Sequence, residues 1–367
     1  MSAKPVQPTS STRLTSVKLP SGIRRIDSDV TLPQSATFET TPVDCGLEAD
    51  EFIFSWNTVP SFPTTAGLTI EARGVYPDHT STRYYRIADW CQDPITCPRQ
   101  SLKGQKDADG DVYTDTLALK RPTRYVQIRV TQTAPPGVES LIQCSLKLLT
   151  ICATSASTSA RADIPEISAW GREILVPGRT QLGWPDAAGW CSPTSTDMVL
   201  AFWASRLKRP ELDLPVPEVA HAIYDPVYDG TGNWPFNTAF AGAFPGIKAF
   251  VSRFDGVSEI ETWIRAGLPV VVSVSYDLLK GKDLPQDAGH LMVCVGFTSD
   301  GDVVLNDPAH RPEQGEACRR VFTRKNFIRA WAHSRNAVYI ICSEDAKLPA
   351  DTGHHWNGPQ PSRKKHR

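Results

Sequence analysis

The sequence predicts an α+β protein with two domains: an all-β, sandwich-like domain first, then a domain that mixes helices with an antiparallel sheet. The chain has 367 residues, whereas a single domain usually holds about 100 to 200 residues. Its 30 prolines and 24 glycines, against three methionines, favour turns and short elements over a helical bundle. Hydrophobic residues recur every second residue in the first part of the chain. After a stretch of small polar residues near the middle of the chain, they recur about every 3.6 residues in places.

The first segment, residues 1–24, is rich in Ser, Thr and Pro, and we expect it to be disordered. It lacks the apolar run of a secretory signal, which favours a cytoplasmic protein and leaves secretion by another route open.

Residues 25–152 are predicted to form the all-β domain. Apolar and polar residues alternate there over short runs that Pro, Gly and Asp separate. About seven strand candidates result, among them FIFSW from Phe52, LTIEARGVY from Leu68, RYYRI from Arg83, VYTDTLALK from Val112, YVQIRVTQT from Tyr125 and LIQCSLKLLTI from Leu141. Strands at this spacing, with no helical stretch between them, indicate an antiparallel sandwich. The ligand of this domain is not readable from its sequence.

Residues 153–165 contain ATSASTSARAD, which cannot bury a core and is typical of a linker. Residues 166–344 then show helical spacing in CSPTSTDMVLAFWASRL and VSEIETWIRAG. The runs PVVVSVSY, HLMVCVGF and DVVLNDP indicate strands, and the last two are joined by a turn at Ser299–Gly301. Residues 345–367 end in a basic run and are predicted to be a disordered tail.

The net charge of −1 supplies no general attraction for nucleic acid or anionic lipid, so we expect neither as a partner. Apolar runs are strand-sized and far below the roughly 20 residues that span a bilayer. The nine cysteines are an odd number at irregular spacing, which is not a disulfide framework. Cys91 and Cys97 lie close enough in sequence to close a small bridge, and the sequence leaves that pairing open.

Cys191 has the sequence context of a nucleophile. It directly precedes a predicted helix, because Pro193 suits the first turn, and Ser192 or Thr194 can cap the free N–H groups. Free N–H groups and the helix dipole lower the pKa of a thiol at such a position. Cys191 is therefore the candidate thiolate.

His290 and Asp307 complete the candidate constellation. His290 opens the strand HLMVCVGF, and Asp307 lies 17 residues later, at the end of the returning strand (307 − 290 = 17). A hairpin brings these ends together, so the carboxylate can hold one imidazole nitrogen while the other faces Cys191. Asn306 is the alternative partner. Strand alternation puts Asn306 and Asp307 on opposite faces, so only one of them can point at the histidine, and we favour Asp307. Gln181, ten residues before Cys191, is the candidate side-chain donor to an oxyanion.

These residues resemble a known family. The runs QLGWPDAAGWCSPTSTDMVLAFW, IETWIRAGLPVVVSVSY, GHLMVCVGF and VVLNDPA resemble, in this order, the C39-like peptidases of the papain-like cysteine peptidase superfamily. The resemblance covers roughly Trp170 to Ile341. It implies a papain-like fold in which Cys191, His290 and Asp307 form the triad and Gln181 assists. The double-glycine leader cleavage of exporter-linked members is not carried over, since the chain shows no P-loop motif.

The resemblance implies a cysteine peptidase that cleaves a protein or peptide through a thioester acyl-enzyme, without a metal or organic cofactor. One alternative is an acyltransferase or amidase with the same nucleophile. Another is a catalytically inactive binding protein, with the β domain as the recognition module.

Other candidates carry weaker signals. His221 lies on a predicted helix and is expected to pack, and His310 follows Asp307 on a loop, where a supporting role is open. The aromatic and glycine-rich segment from Gly230 is equally compatible with core and with a substrate cleft.

Overall fold

The computed structural model describes residues 11–16, 37–58, 67–94, 97–133, 146–155, 163–185, 187–286 and 289–356. Within these ranges the chain forms two antiparallel sheets, one in each half, and the α-helices belong to the second half. The fold is therefore mixed helix and sheet, as the sequence predicts. No helix in the described ranges is long and apolar enough to cross a membrane.

The first half forms an eight-stranded sheet with the order β1-β8-β3-β7-β4-β5, while β2 and β6 also pair with β7. The strands are β1 (Ser11–Ser16), β2 (Thr37–Glu39), β3 (Val43–Thr58), β4 (Gly67–Val75), β5 (Tyr85–Cys91), β6 (Gly110–Tyr113), β7 (Thr116–Thr133) and β8 (Leu146–Ser155). All eight are connected by pairing. The all-β nature of this half is thus as predicted, whereas a sandwich of two separate sheets stays a prediction.

The structure corrects three details of the strand prediction. Strand β1 lies inside the segment 1–24, for which we expected disorder, because it pairs along its whole length with β8. Strand β8 runs to Ser155, three residues into the predicted linker 153–165. VYTDTLALK is not one strand, because a turn at Thr114–Asp115 divides it between β6 and β7. The start of the candidate strand LIQCSLKLLTI, residues 141–145, lies outside the described residues.

Strand β3 joins the two halves. Its residues from Phe52 to Thr58 are all buried, because both faces of the strand are covered. Phe54 and Trp56 are part of the core of the first half. Phe236 of the second half also packs there, with its ring centroid 6.2 Å from that of Trp56. A strand buried on both faces loses the polar alternation that marks a half-exposed strand.

The opposite face of β3 touches the second half directly. Ser55 Oγ accepts the N–H of Val251 at 2.9 Å. Asn57 Nδ2 donates to the carbonyl of Ala249 at 2.8 Å, and Asn57 Oδ1 accepts the N–H of the same residue at 2.9 Å. Val251 and Ala249 lie on the edge strand of the second sheet. Side chains of the first half therefore satisfy backbone groups that an edge strand would otherwise leave unpaired.

The second half contains a six-stranded sheet with the order β13-β12-β11-β10-β14-β9. Its strands are β9 (Ile247–Arg253), β10 (Val270–Val274), β11 (His290–Phe297), β12 (Val303–Asn306), β13 (Arg319–Phe322) and β14 (Ala337–Ser343). The described helices are α1 (Cys191–Leu207), α2 (Val216–Ile223), α3 (Trp234–Gly242), α4 (Val257–Arg265), α5 (Tyr276–Leu279) and α6 (Arg324–Ala332). Helix α1 is buried from Ser192 to Ala204, since the sheet and the helices α2 and α3 surround it.

The predicted tail begins later than residue 345. Trp356 is 5% exposed and packs against Phe254 and Trp263, with ring centroids 5.2 and 5.5 Å apart. His355 Nδ1 lies 2.7 Å from Glu259 Oε1. The segment up to residue 356 is therefore part of the second core, and the basic end of the chain, residues 357–367, lies outside the described residues.

Cys91 and Cys97 are joined by a disulfide, which settles the pairing that the sequence left open. Among the other described cysteines, Cys191 and Cys318 are partly exposed, and the remaining four are buried free thiols.

Candidate active site

Cys191 is the first residue of helix α1, and a single 3-10 turn, Ala187–Gly189, precedes it. The expected side-chain cap is wrong: no side chain caps this helix, because Ser192 Oγ pairs with the hydroxyl of Tyr339 at 2.8 Å. The backbone groups of Leu291 and Ser192 instead help to lower the pKa of the Cys191 thiol. The helix start thus offers its N–H groups to the thiol, which favours negative charge on sulfur.

His290 is the first residue of β11, and its imidazole is 7% exposed. Its Nε2 lies 2.8 Å from Asp307 Oδ1. Its ring is also close enough to the Cys191 thiol to lower the pKa of that thiol. Since Nε2 is taken by the carboxylate, Nδ1 is the nitrogen left for the sulfur. The structure therefore brings Cys191, His290 and Asp307 together at one site.

Asp307 follows strand β12 directly and is fully buried. Besides His290 it accepts the hydroxyl of Tyr276 at 2.6 Å and the backbone N–H of Ala309 at 2.9 Å. The guanidinium Nε of Arg320 lies 3.3 Å from Oδ2. Burial alone would raise the pKa of this carboxyl, but His290, Tyr276 and the N–H of Ala309 outweigh it and lower the pKa to about 2. Asp307 is thus a stable anion beneath the imidazole.

Asn306, the alternative partner, faces away from His290. Its Nδ2 donates to the carbonyl of Val176 at 3.1 Å. Adjacent residues of a strand point to opposite faces, so Asp307 alone can reach the imidazole from this strand end.

Burial would raise the pKa of Cys191 and lower that of His290. The hydrogen bond between them and their opposite charges act the other way. The pKa of the Cys191 thiol is consequently lowered, and that of His290 is raised to about 9 with the help of Asp307. Both shifts favour the thiolate form of Cys191 and the imidazolium form of His290.

Gln181 is buried beside the turn that precedes Cys191. Its Nε2 donates to the carbonyls of Ala187 and Ala188 at 3.2 and 3.3 Å, which occupies both amide hydrogens. Gln181 Oε1 has no hydrogen-bond partner among the described residues. The structure places Gln181 next to the site without directing an N–H into the cleft, and its role as an oxyanion donor stays a prediction.

The two other histidines near the site are structural. His310 is buried, and its Nδ1 lies 2.8 Å from the backbone carbonyl of Asp307, so it orders the loop that carries the carboxylate. His221 lies on α2 with its ring 5.8 Å from that of Trp190, and its own carbonyl accepts from Arg99.

A cleft of about 580 Å³ opens above Cys191 and His290. The segment from Gly230 serves both purposes that the sequence left open, because Gly230, Gly232 and Trp234 line the cleft and Phe236 enters the core. The wall also includes residues 113–115 of the first half. Sequence reasoning missed that contribution, as well as Tyr276 and Arg320.

One group of described side chains offers several metal-ligand atoms. Asp255, Glu259 and His355 bring these atoms within 4.8 Å of one another. None of the three lines the cleft. Burial lowers the pKa of His355, but Glu259 and Asp255 raise it more, which leaves it above its usual value. The contacts of His355 with the carboxylates of Glu259, at 2.7 Å, and Asp255, at 3.8 Å, tether the C-terminal segment to α4 and the residues before it.

Comparison with known proteins identifies both halves. Residues 173–339 match the model of the Peptidase C39-like family, and residues 11–153 match that of the Peptidase C39 N-terminal domain. No curated protein matches the chain. A solved structure from Bacillus anthracis, described as a C39-like peptidase, is 18% identical with a TM-score of 0.35, over 47% of this chain and 99% of that one. Through the region that carries Cys191 and His290, the chain belongs to the Peptidase C39-like family.

Proposed function

We propose that this protein is a cysteine peptidase that hydrolyses peptide bonds with Cys191 as nucleophile, His290 as acid and base, and Asp307 as the group that orients His290. The observation that carries the proposal is the 2.8 Å contact of His290 Nε2 with the buried anion Asp307, on an imidazole that lines the same cleft as Cys191 and lowers the pKa of its thiol. Family membership supports a peptidase in general.

The reaction follows from these positions. The Cys191 thiolate attacks the carbonyl carbon of the peptide, and the C=O electrons move to oxygen. The imidazolium of His290 gives its proton to the leaving nitrogen, the C–N bond breaks, and a thioester remains. Water then attacks the thioester while His290 takes its proton. The acid product leaves, and the thiolate–imidazolium pair is restored.

The oxyanion of each tetrahedral state needs donors. The backbone N–H of Cys191 at the start of α1 is one of them. Gln181 is the second, if one amide hydrogen moves from the carbonyl of Ala187 or Ala188 to the substrate oxygen. Hydrogen bonds of this kind often form fully only with substrate bound.

The first test compares two thiols in the same molecule. Cys191 and Cys318 are both partly exposed, but burial raises the pKa of Cys318 to about 11. At pH 6.5 we expect iodoacetamide to alkylate Cys191 at least 100-fold faster than Cys318, measured by peptide mass spectrometry. The advantage should be lost in His290→Ala. Equal rates at the two cysteines would contradict a catalytic thiolate.

The second test identifies the reaction. A peptide library incubated with wild type should give cleavage products that are absent with Cys191→Ala. Adding a small amine acceptor separates hydrolysis from acyl transfer: free acid products support a peptidase, and amide products support an acyltransferase. A reactive Cys191 with neither product would indicate a different substrate class.

A further inference from the structure

The hairpin that joins β6 and β7 reaches the cleft from the first half. Tyr113 pairs with Thr116 across the hairpin, so Thr114 and Asp115 form the two-residue turn. Thr114 adopts a left-handed backbone with φ of 57°. Tyr113, Thr114 and Asp115 line the same cleft as Cys191 and His290.

A hydrogen bond joins this hairpin to the second half, and another orders the hairpin itself. Asp115 Oδ2 accepts the backbone N–H of Trp234, the first residue of α3, at 3.0 Å. Asp115 Oδ1 accepts the hydroxyl of Thr116 at 3.0 Å. The turn is therefore held in position against a helix whose first residue also lines the cleft.

The charge of this wall is negative. The residues that line the cleft include Asp115 and Asp229, but no lysine or arginine. In the described part of the chain no cation lies within ion-pair distance of Asp115, although the charge of Arg253 acts on its carboxylate. Its hydrogen-bond donors include the N–H of Trp234 and the hydroxyl of Thr116. Asp229 adopts a left-handed backbone and accepts the hydroxyl of Tyr224 at 2.6 Å.

Asp115 and the nucleophile lie close enough to act on the same groups. The charges of both raise the pKa of the Tyr228 and Tyr339 phenols, in addition to the larger effect of burial. Burial raises the pKa of Asp115 to about 6, although the charge of Arg253 acts in the opposite direction. A partly buried carboxylate that lines a cleft is stabilised further when a ligand brings positive charge to it.

We propose that the first domain forms one wall of the substrate cleft, where Asp115, together with Asp229, selects substrates that carry a positively charged group beside the scissile bond. The chemical class is a lysine or arginine side chain or a free amine. This inference rests on the proposed peptidase function, since it takes Cys191 as the reacting atom.

Three thiol reagents of similar size test the charge without a known substrate. They are the uncharged methyl, the cationic 2-aminoethyl and the anionic 2-sulfonatoethyl methanethiosulfonates. At pH 7.5 we expect the cationic reagent to modify Cys191 at least tenfold faster than the anionic one. This ratio should fall about fivefold in Asp115→Asn and in Asp229→Asn.

The variants are chosen to preserve the structure. Asparagine at position 115 keeps an oxygen that accepts the Trp234 N–H, and asparagine tolerates the left-handed backbone at position 229. The matched control is Glu48→Gln, an exposed acid of the first half outside the cleft, for which we expect the wild-type ratio. A wild-type ratio near one, or an unchanged ratio in Asp115→Asn, would overturn the inference.

The outcomes separate the two proposals. Failure of the uncharged reagent to modify wild-type Cys191 would contradict the peptidase function itself. Rapid reaction with the uncharged reagent but no charge preference contradicts the acidic subsite alone.

Peptide pairs that differ only in Lys against Gln near the cleaved bond give the second readout. We expect kcat/KM to favour Lys in wild type, and the preference to fall about tenfold through KM in Asp115→Asn. Tyr113 is 62% exposed, so Tyr113→Ala removes part of the wall at little cost to folding and should raise KM for both peptides. An unaltered KM in Tyr113→Ala would contradict a wall made by the first domain.

Discussion

The hydroxyl of Tyr276 donates to Asp307 Oδ2 at 2.6 Å, while Oδ1 is occupied by His290. The Tyr276 ring also lies 4.6 Å from the imidazole, so one side chain contacts both members of the pair. Tyr276 therefore positions the carboxylate and shields it from water.

Tyr276→Phe tests this positioning role. The ring and its packing remain, but Asp307 loses a donor, and its pKa should rise. We expect kcat to fall about threefold to tenfold with little change in KM, and the acid limb of the pH–rate profile to shift upward. Tyr125→Phe, in the first half and outside the cleft, is the matched control. A merely structural role would lower stability without moving the profile.

Replacements at position 307 separate charge from orientation. Asp307→Ala removes both, and we expect kcat/KM to fall by at least about 100-fold. Asp307→Asn retains an oxygen that can accept from His290 Nε2, so we expect a smaller fall in kcat/KM than in Asp307→Ala. Asn306→Ala should keep the wild-type alkylation rate of Cys191, because Asn306 bonds the Val176 carbonyl instead. Equal losses at positions 306 and 307 would contradict the assignment.

The pH dependence of alkylation follows from the shifted pKa values. The thiolate fraction rises with pH, and since the pKa of Cys191 is lowered below about 9, the rate in wild type should reach half its maximum below pH 9. In His290→Ala the burial of Cys191 still raises the pKa of its thiol, but the imidazole that lowers this pKa is gone. The pH at which the rate is half its maximum should therefore move above about 9. The rate constant of reaction with iodoacetamide between pH 5 and 10 checks both. A midpoint that does not move would show that His290 does not set the pKa of the thiol.

Asp197, on the helix that carries the nucleophile, should make the protein less stable at higher pH. It is fully buried, neither carboxylate oxygen has a hydrogen-bond partner among the described residues, and Arg179 Nε lies 3.3 Å away. Burial raises its pKa to about 7. A raised folded-state pKa means that stability is fully present below about pH 4 and is lost as pH rises through 7.

We therefore expect Asp197→Asn to raise the free energy of unfolding at pH 8 by on the order of 3 kcal/mol, with a smaller gain at pH 5. Urea denaturation at the two pH values measures this. Asp213→Asn, an exposed acid that also pairs with Arg179, is the control and should show no such gain. A loss of stability at pH 8 in Asp197→Asn would mean that the ion pair with Arg179 outweighs the burial of the charge.

Asn57 tests the contact between the two halves. Asn57→Ala leaves the N–H and the carbonyl of Ala249 without their partner, which should cost about 2 to 4 kcal/mol of unfolding free energy. We expect far-UV circular dichroism and tryptophan fluorescence to report one common transition in wild type. Gln314→Ala, on an exposed turn, should have little effect. Two separate wild-type transitions would contradict a shared core.

Much of the second half could be predicted from sequence, because its signals are local. Helical spacing around Trp263 predicts α4, and the Gly-His strand and the Asp-Pro end predict the hairpin that joins His290 to Asp307. The run PVVVSVSY predicts a strand that extends to Tyr276. In the structure β10 ends at Val274, and Ser275 caps a short helix that begins at Tyr276. A single serine is a weak signal for the start of a helix, whereas four valines strongly indicate a strand, so the sequence predicts a strand through this position.

The first half was harder because its decisive features are tertiary. The turn at Thr114–Asp115 lacks the glycine that usually marks a two-residue hairpin, and the segment therefore had the pattern of a continuous strand. Strand β1 has no apolar run of its own, and it is ordered by pairing with β8. No pattern within the first half indicates that Asp115 meets Trp234. The cytoplasmic location stays a prediction.

The two-sided burial of β3 limits how this protein can be divided or recombined. A second half expressed alone would expose Phe236 and leave backbone groups of β9 open to pairing with other chains. A chimeric protein that contains Cys191 and His290 must therefore also contain Ser55 and Asn57. Otherwise the strand edge that these two side chains cover would have to be redesigned. We therefore expect the two halves to depend on each other for folding, so that dividing the chain near residue 155 would disrupt the second half.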